Sequence, residues 1–260
     1  MLIESRQNPT VKRLAELREA KGRKEQGRFL IDTPRDQERA LEKGIDMVAA
    51  YVCKDFPQTP EVMEALKEKK IEIIEFSKSA FEAVCYRENP TGVLLEAKSW
   101  NTQLGDVKTK APTLVMLAED IEKPGNLGTL LRTADAAGVQ LVIGCNQTVE
   151  LFNPNTLRAS AGAAFHVAYA TASLNEALAW IKENKLALVA TTPAAKKTLW
   201  EVDLKKPVVL AVGSEANGLS DELLSAADVQ VSLPMAGAGD SLNVSVAAGV
   251  ILYEALRQRR

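Results

Sequence analysis

Three stretches of this chain place a turn, small residues and a helix start directly after an apolar run. Such arrangements leave backbone N–H groups free to hold a carboxylate or an adenine edge. The first runs from Glu119 to Gly128; Pro124 and Gly125 make a turn, and Asn126 is expected to cap the helix that follows. Arg132, six residues on, would stand on that helix near the mouth of the site. Its guanidinium is a permanent cation, suited to a phosphate oxygen or to developing alkoxide charge and unsuited to act as a base. The second stretch, Val208 to Ser220, is an apolar run ending in GSEANGLS. Gly213 would let a ligand approach the backbone. Glu215 is an unusual residue so soon after a strand, and Ser220 can cap the next helix. The third, Leu233 to Ala247, reads LPMAGAGDSLNVSVA, with Ser241 or Asn243 opening the final helix. Its Gly-Ala-Gly is not a dinucleotide fingerprint, for the third glycine is missing and the acidic partner would fall past the last residue.

These loops need a frame that brings them together. Beyond residue 112, strand-like runs end near Leu117, Ile143, Ala190, Val212 and Leu233, and most are separated by helical stretches at 127–137, 174–184 and 241–258. Short apolar strands alternating with helices imply an α/β domain with a parallel sheet, whose ligands bind beyond the carboxyl ends of the strands. Residues 1–97 read as a smaller α/β unit. Helices are expected over 8–25, 35–44, 59–69 and 78–85, and strands at 29–31, 47–52, 71–76 and 91–95. Residues 98–112, polar and without periodicity, read as a linker, leaving 113–260 as the second domain.

Composition narrows the class. The 260 residues are 46% hydrophobic, 25% charged and only 5% aromatic, an ordinary globular balance with an aliphatic core. Cys53, Cys85 and Cys145 are scattered, which suggests neither a disulfide framework nor a metal site and fits a reducing, cytoplasmic setting. No apolar run approaches the roughly 20 residues of a membrane span, and the first residues, MLIESRQNP, have no signal-peptide core. The net charge of −2 hides an asymmetry: residues 1–30 hold eight Lys/Arg against four Asp/Glu, or +4, which leaves −6 for the rest. A basic segment on a mildly acidic body suits a protein that meets phosphates with one part only. In the first helix Val11, Leu14 and Leu17 share a side. Lys12, Arg13, Arg18 and Arg23 are the candidate phosphate contacts.

Taken together, PGNLGTLLRTADAAGV, GSEANGLS and LPMAGAGDSLNVSVAAGVILYEAL resemble, in order and spacing, the three motifs of the SpoU/TrmH family of RNA 2′-O-methyltransferases, part of the SPOUT superfamily. The stretch RASAGAAFHV is similar to a further family segment. SRQNPTVKRLAELREAKGRKEQGRFLI and ENPTGVLLEAK resemble the family's small substrate-binding domain, itself similar to an RNA-binding ribosomal protein. Asp32-Thr33-Pro34 departs from the Glu-Gly pair usual there.

The resemblance implies a parallel-sheet SPOUT domain with a deep trefoil knot, a homodimer, and S-adenosylmethionine as methyl donor without any metal. It implies that Gly213, Leu233 and Leu242 hold the cofactor, with Met235 lining the same cavity. Glu215, Ser241 and Asn243 would order the loops and the incoming nucleotide, Arg132 would orient the 2′-hydroxyl, and Asn126 belongs to the same catalytic set. Ribosomal RNA is the expected substrate. A transfer RNA, a non-catalytic RNA-binding or ribosome-assembly role, and a small-molecule enzyme are the rivals. His166, the lone histidine, is expected to be structural.

Overall fold

The computed structural model describes residues 2–87 and 89–260 and divides into two compact units, one of residues 1–100 with 150–165, the other of 101–149 with 166–260. In the first unit proline opens one helix after another, because its fixed φ suits the first helical position and its missing N–H loses no bond there. The order is β1 (Leu2–Ile3), α1 (Pro9–Glu16), α2 (Ala20–Gln26), β2 (Arg28–Ile31), α3 (Pro34–Lys43), β3 (Met47–Val52), α4 (Pro60–Glu68), β4 (Ile73–Phe76), α5 (Lys78–Val84) and β5 (Val93–Lys98). The described strands form one sheet in the order β1-β4-β3-β5-β2, antiparallel where β5 meets β3 and β2 and parallel elsewhere. Leu14, Leu17, Tyr51, Phe76, Phe81 and Leu94 fill its core.

The single helix expected over 8–25 is two. Arg23 turns inward and donates to the carbonyls of Leu17 and Arg18 at 2.8 Å each, satisfying the open end of α1. Gly22 packs so close to the backbone of Glu16 that a Cβ there would collide with it.

The second unit runs β6 (Leu114–Glu119), α6 (Pro124–Ala136) and β7 (Leu141–Cys145). After α7 (Pro154–Ser160), which belongs to the first unit, it continues with β8 (Ala168–Ala172), α8 (Leu174–Glu183), β9 (Ala187–Thr191), β10 (Lys197–Thr198), β11 (Val208–Val212), α9 (Asp221–Ala226), β12 (Val229–Ser232) and α10 (Val244–Arg259). The described strands form one sheet, β10-β12-β9-β11-β6-β7-β8, with every pairing parallel. All residues of β6, β7 and β11 are buried, as expected of strands covered on both faces. Ala177, Ile181 and Leu223 of α8 and α9 join one core, while α10 packs on α6 and β11. A wholly parallel sheet puts all its carboxyl ends on one edge.

The domain boundaries differ from the sequence reading in two places. Residues 150–165 belong with the first unit because Phe152 and Phe165 join Phe29 and Trp100 in an aromatic cluster, with Phe152 4.7 Å from both Phe29 and Trp100. The expected linker is structured in part: β5 runs to Lys98, and Leu104 is buried in the core of the second unit.

Two of the expected phosphate contacts are structural. Arg13 forks onto the carboxylate of Glu96 at 2.6 and 2.9 Å, and Arg28 and the Tyr51 hydroxyl complete the cluster at 2.8 and 2.7 Å. Glu96 is fully buried, which pushes its pKa up; the bonds from Arg13, Arg28 and Tyr51 outweigh burial and hold it below the usual carboxylate range. Arg23 is itself buried and pairs with Glu150. Lys12 and Arg18 are exposed.

Glu96→Ala leaves Arg13 and Arg28 without their counter-charge. It is expected to lower unfolding free energy by about 2–3 kcal/mol, discounted because both guanidiniums keep part of their hydration; urea denaturation measures it. Asp36, 1% exposed, behaves oppositely. Burial pushes its pKa up to about 6 against the lowering bond from Thr33. Its protonated form is favoured in the folded chain, so stability falls as pH rises from about 4 to about 6, by on the order of 2–3 kcal/mol. Melting temperatures across that range should fall in the wild type and flatten in Asp36→Asn.

Candidate active site

Four adjacent strands of the second unit, β12, β9, β11 and β6, end at the same edge, and the loops leaving them build the site. The last residue of β6, Glu119, is buried and accepts from the backbone N–H and the hydroxyl of Ser220, both at 2.8 Å. Ser220 in turn caps α9 through the N–H of Leu223, as its position in the sequence suggested. The first loop is thus tied to the second.

The second loop is a pinned turn. Ser214 and Gly218 exchange backbone hydrogen bonds of 3.1 and 2.9 Å, and the Ser214 hydroxyl accepts from the N–H of Asn217. Gly218 takes φ +68°, and a Cβ on Gly213 would collide with the backbone of Gly218. Both glycines are required by this geometry, one by its dihedral and one by close approach.

The third loop closes on the other two through Asn243, which caps α10 by accepting from the N–H of Ser245. Its Nδ2 donates to Glu215 at 2.5 Å and reaches Asn126 Oδ1 at 3.3 Å. Lys123 donates to the other oxygen of Glu215 at 2.7 Å, and the Ser245 hydroxyl donates to the Asn126 carbonyl at 3.0 Å. Asn126 is therefore not the cap it was expected to be. The helix begins at Pro124 after Lys123, so Asn126 lies inside the first turn with its side chain turned to the other loops. The bond from Lys123, first, and those from Asn126 and Asn243 hold Glu215 below the usual carboxylate range against a smaller effect of burial. Lys123 is raised in return by the same bond.

Two hollows flank Glu215. The larger, about 450 Å³, is lined by Gly213, Leu233, Met235 and Leu242, with Glu215 and Ser241 at its wall. The smaller, about 220 Å³, is lined by Lys123, Asn126 and Glu215 and shares Ser214, Ala216 and Val244 with the first. Every expected site residue of the second unit except Arg132 and Asn243 lines one hollow or both, and Asn243 bonds to two that do. Arg132 stands exposed on α6, lines neither hollow, and has no hydrogen-bond or ion-pair partner within the chain among the described residues. His166 is exposed in the turn before β8.

The sequence reading missed four contributors. Thr191, Thr192 and Pro193 line the larger hollow from the end of β9, and the Thr191 hydroxyl is buried without a partner among the described residues. The strand end near Ala190 was visible; its place beside β11 was not. Lys123 lies in the first loop, and nothing in its local sequence marks it as the partner of Glu215. Among the described residues no group of three or more His, Cys, Asp or Glu could hold a metal, and no helix is long and apolar enough to cross a membrane.

Comparison with known proteins agrees along the whole chain. The model of the SpoU rRNA Methylase family matches residues 113–253, and that of an MRM3-like substrate binding domain matches residues 8–95. The chain is 31% identical to the 23S rRNA (guanosine(2553)-2′-O)-methyltransferase RlmP of Bacillus subtilis, over 96% of this chain and 97% of that protein. It superposes on the crystal structure of an RNA 2′-O ribose methyltransferase with a TM-score of 0.86 and 42% identity, covering 100% of this chain and 99% of the other. It also superposes on the AdoMet-bound rRNA methyltransferase of Sinorhizobium meliloti, with a TM-score of 0.89 and 30% identity over 99% and 97%.

Gly213→Ala forces the second loop off Gly218. Its expected cost is about 1–3 kcal/mol of stability, with faster amide exchange at Ser214 and Gly218. Exchange rates equal to wild type at both amides would show that this contact does not pin the turn.

Proposed function

Because the chain belongs to the SpoU rRNA methylase family, we infer that it transfers a methyl group from S-adenosylmethionine to a ribose 2′-hydroxyl of RNA, and that ribosomal RNA is its substrate. The observation that carries this reading is the meeting of three loops at one sheet edge around Glu215, with a ligand-sized hollow on either side.

The larger hollow fits the cofactor. Its volume lies within the usual range for ligand pockets. Leu233, Leu242 and Met235 offer an apolar wall, and the buried, unpartnered hydroxyl of Thr191 offers a polar contact. Asp221, Asp240 and Glu215 give the wall a negative bias that suits a cation. When bound, S-adenosylmethionine supplies an electrophilic methyl group on a sulfonium. Gly213, Leu233, Met235 and Leu242 would hold it from the second and third loops.

The nucleotide would enter at the smaller hollow, where Asn126 and Glu215 present fixed polar groups and Lys123 a cation. Glu215 is a poor base, since Lys123 keeps it ionised and already hydrogen-bonded; its work is to keep Asn126 and Asn243 in place. Ser241 would close the third loop over the site. Arg132 is assigned to the accepting hydroxyl, where a guanidinium stabilises the charge that grows on oxygen as its proton passes to solvent and the S–CH3 bond gives way to the O–CH3 bond, leaving the neutral thioether. Alignment of that hydroxyl with the methyl group is the larger part of the catalysis.

Arg132 lines neither hollow within one chain, and this supports a dimer in which the partner subunit's Arg132 completes the site. The last helix agrees. Val246 and Tyr253 on α10 are more than half exposed, with Val250 half-buried between them, a long apolar stripe for a surface helix. The family's trefoil knot is read onto the loops after β11 and β12, and the enzyme is placed in the cytoplasm with its RNA. The first unit, with exposed Lys12 and Arg18, is assigned to the RNA strand.

Arg132→Ala is expected to slow methyl transfer to a 23S ribosomal RNA transcript at least about a hundredfold, while cofactor affinity by calorimetry stays within about twofold of wild type. Full activity in that variant would remove Arg132 from the reaction. Absence of cofactor binding in the wild type would remove the enzyme reading altogether.

A further inference from the structure

The first unit carries an arrangement that methyl transfer does not account for. Tyr86, just past α5, is 40% exposed. The guanidinium of Arg158 on α7 lies over its ring, 4.8 Å from the centroid, and that of Arg18 lies 5.9 Å away. Two of the three, Arg158 and Tyr86, are held from behind. Arg158 donates to both oxygens of Asp32, at 3.1 and 2.8 Å. Asn155 donates to the Tyr86 hydroxyl at 3.1 Å. Arg18 stands at the corner between α1 and α2, whose carbonyls at Leu17 and Arg18 are fixed by the buried Arg23. The side chain of Arg18 has no acidic partner among the described residues, so its charge is open to a phosphate.

Asp32 answers one of the two arginines, leaving the group with one net positive charge. Flat, polarisable surfaces therefore adjoin one another, braced and cationic, at the protein surface. Nucleobases stack on tyrosine rings and on guanidinium planes, and such stacking is open only to bases released from a duplex. Side chains already fixed in place lose little freedom when a ligand arrives.

We propose that Arg18, Tyr86 and Arg158 form a stacking platform for an unpaired base of the RNA substrate, with Arg18 also meeting a phosphate. The proposal rests on the methyltransferase reading and adds where on the first unit the strand is gripped.

The test uses the full-length protein, a short fluorescein-labelled oligoadenylate followed by anisotropy, and methyl transfer to a 23S ribosomal RNA transcript. Tyr86→Ala and Tyr86→Leu, which remove the ring, are expected to weaken oligoadenylate binding about tenfold and to raise KM for the transcript far more than they lower kcat. Tyr86→Phe keeps the ring and is expected to stay within about twofold of wild type. Should Tyr86→Ala unfold, as its melting temperature would show, Tyr86→Leu carries the comparison. Equal binding by Tyr86→Leu and Tyr86→Phe overturns the platform, because then the ring has no part. Equal losses in all three overturn it also, because then only the hydroxyl bond to Asn155 matters. A wild-type protein that methylates no transcript, yet loses oligoadenylate with the ring, would sink the enzyme reading and leave the platform standing.

Discussion

The carboxylate of Glu215 is the charged group on which the three loops of the site meet. Lys123 comes to it from the start of α6 and Asn243 from the start of α10, at 2.7 and 2.5 Å. Neither approach would persist alone, for an exposed ion pair and a single side-chain bond are each worth little in water. They hold here because each loop is already stiffened by its own device. Pro124 opens α6, the Ser214–Gly218 pair closes the second loop, and Asn243 caps α10. The carboxylate joins parts whose ordering cost has largely been met within each loop.

A second carboxylate, Glu119, does related work in different surroundings. It is buried at the end of β6 and binds Ser220 through both oxygens, so it holds the second loop against the sheet. Glu215 is only partly covered and stands between the two hollows. One acid fixes the loop to the frame, and the other presents the loop to ligands. Their separation lets the site adjust around Glu215 without loosening from the strands.

Much of this was legible in the chain itself. Alternating apolar runs and helices announced a parallel sheet, and such a sheet puts its functional loops on one edge, so three loops far apart in sequence could be assigned to one site. What escaped were facts set by partners distant along the chain. Arg13 and Arg23 look like any basic helix residues until Glu96 and Glu150 are brought to them, 83 and 127 positions away. Thr191 was hidden because strand order, unlike strand existence, leaves no local mark; only the placing of β9 between β12 and β11 brings it to the hollow. Asn126 was misread as a cap because the proline two residues earlier had already begun the helix. Residues 150–165 were assigned by chain continuity, whereas aromatic packing decides where they fold.

Withdrawal of Arg13 and Arg23 changes what the basic N-terminal segment can do. Both charges are answered by carboxylates that the fold supplies from outside residues 1–30, so the local excess seen in the sequence overstates the field met by an approaching strand. Lys21 is in addition paired with Glu25. With several of its cations committed, this segment draws less on counterion release, the term that dominates most nucleic-acid binding, than its sequence suggests. The grip of this segment on RNA then gains from contacts that salt screens less. Stacking is the chief of these, and the flat, braced group around Tyr86 is where the first unit presents such a contact.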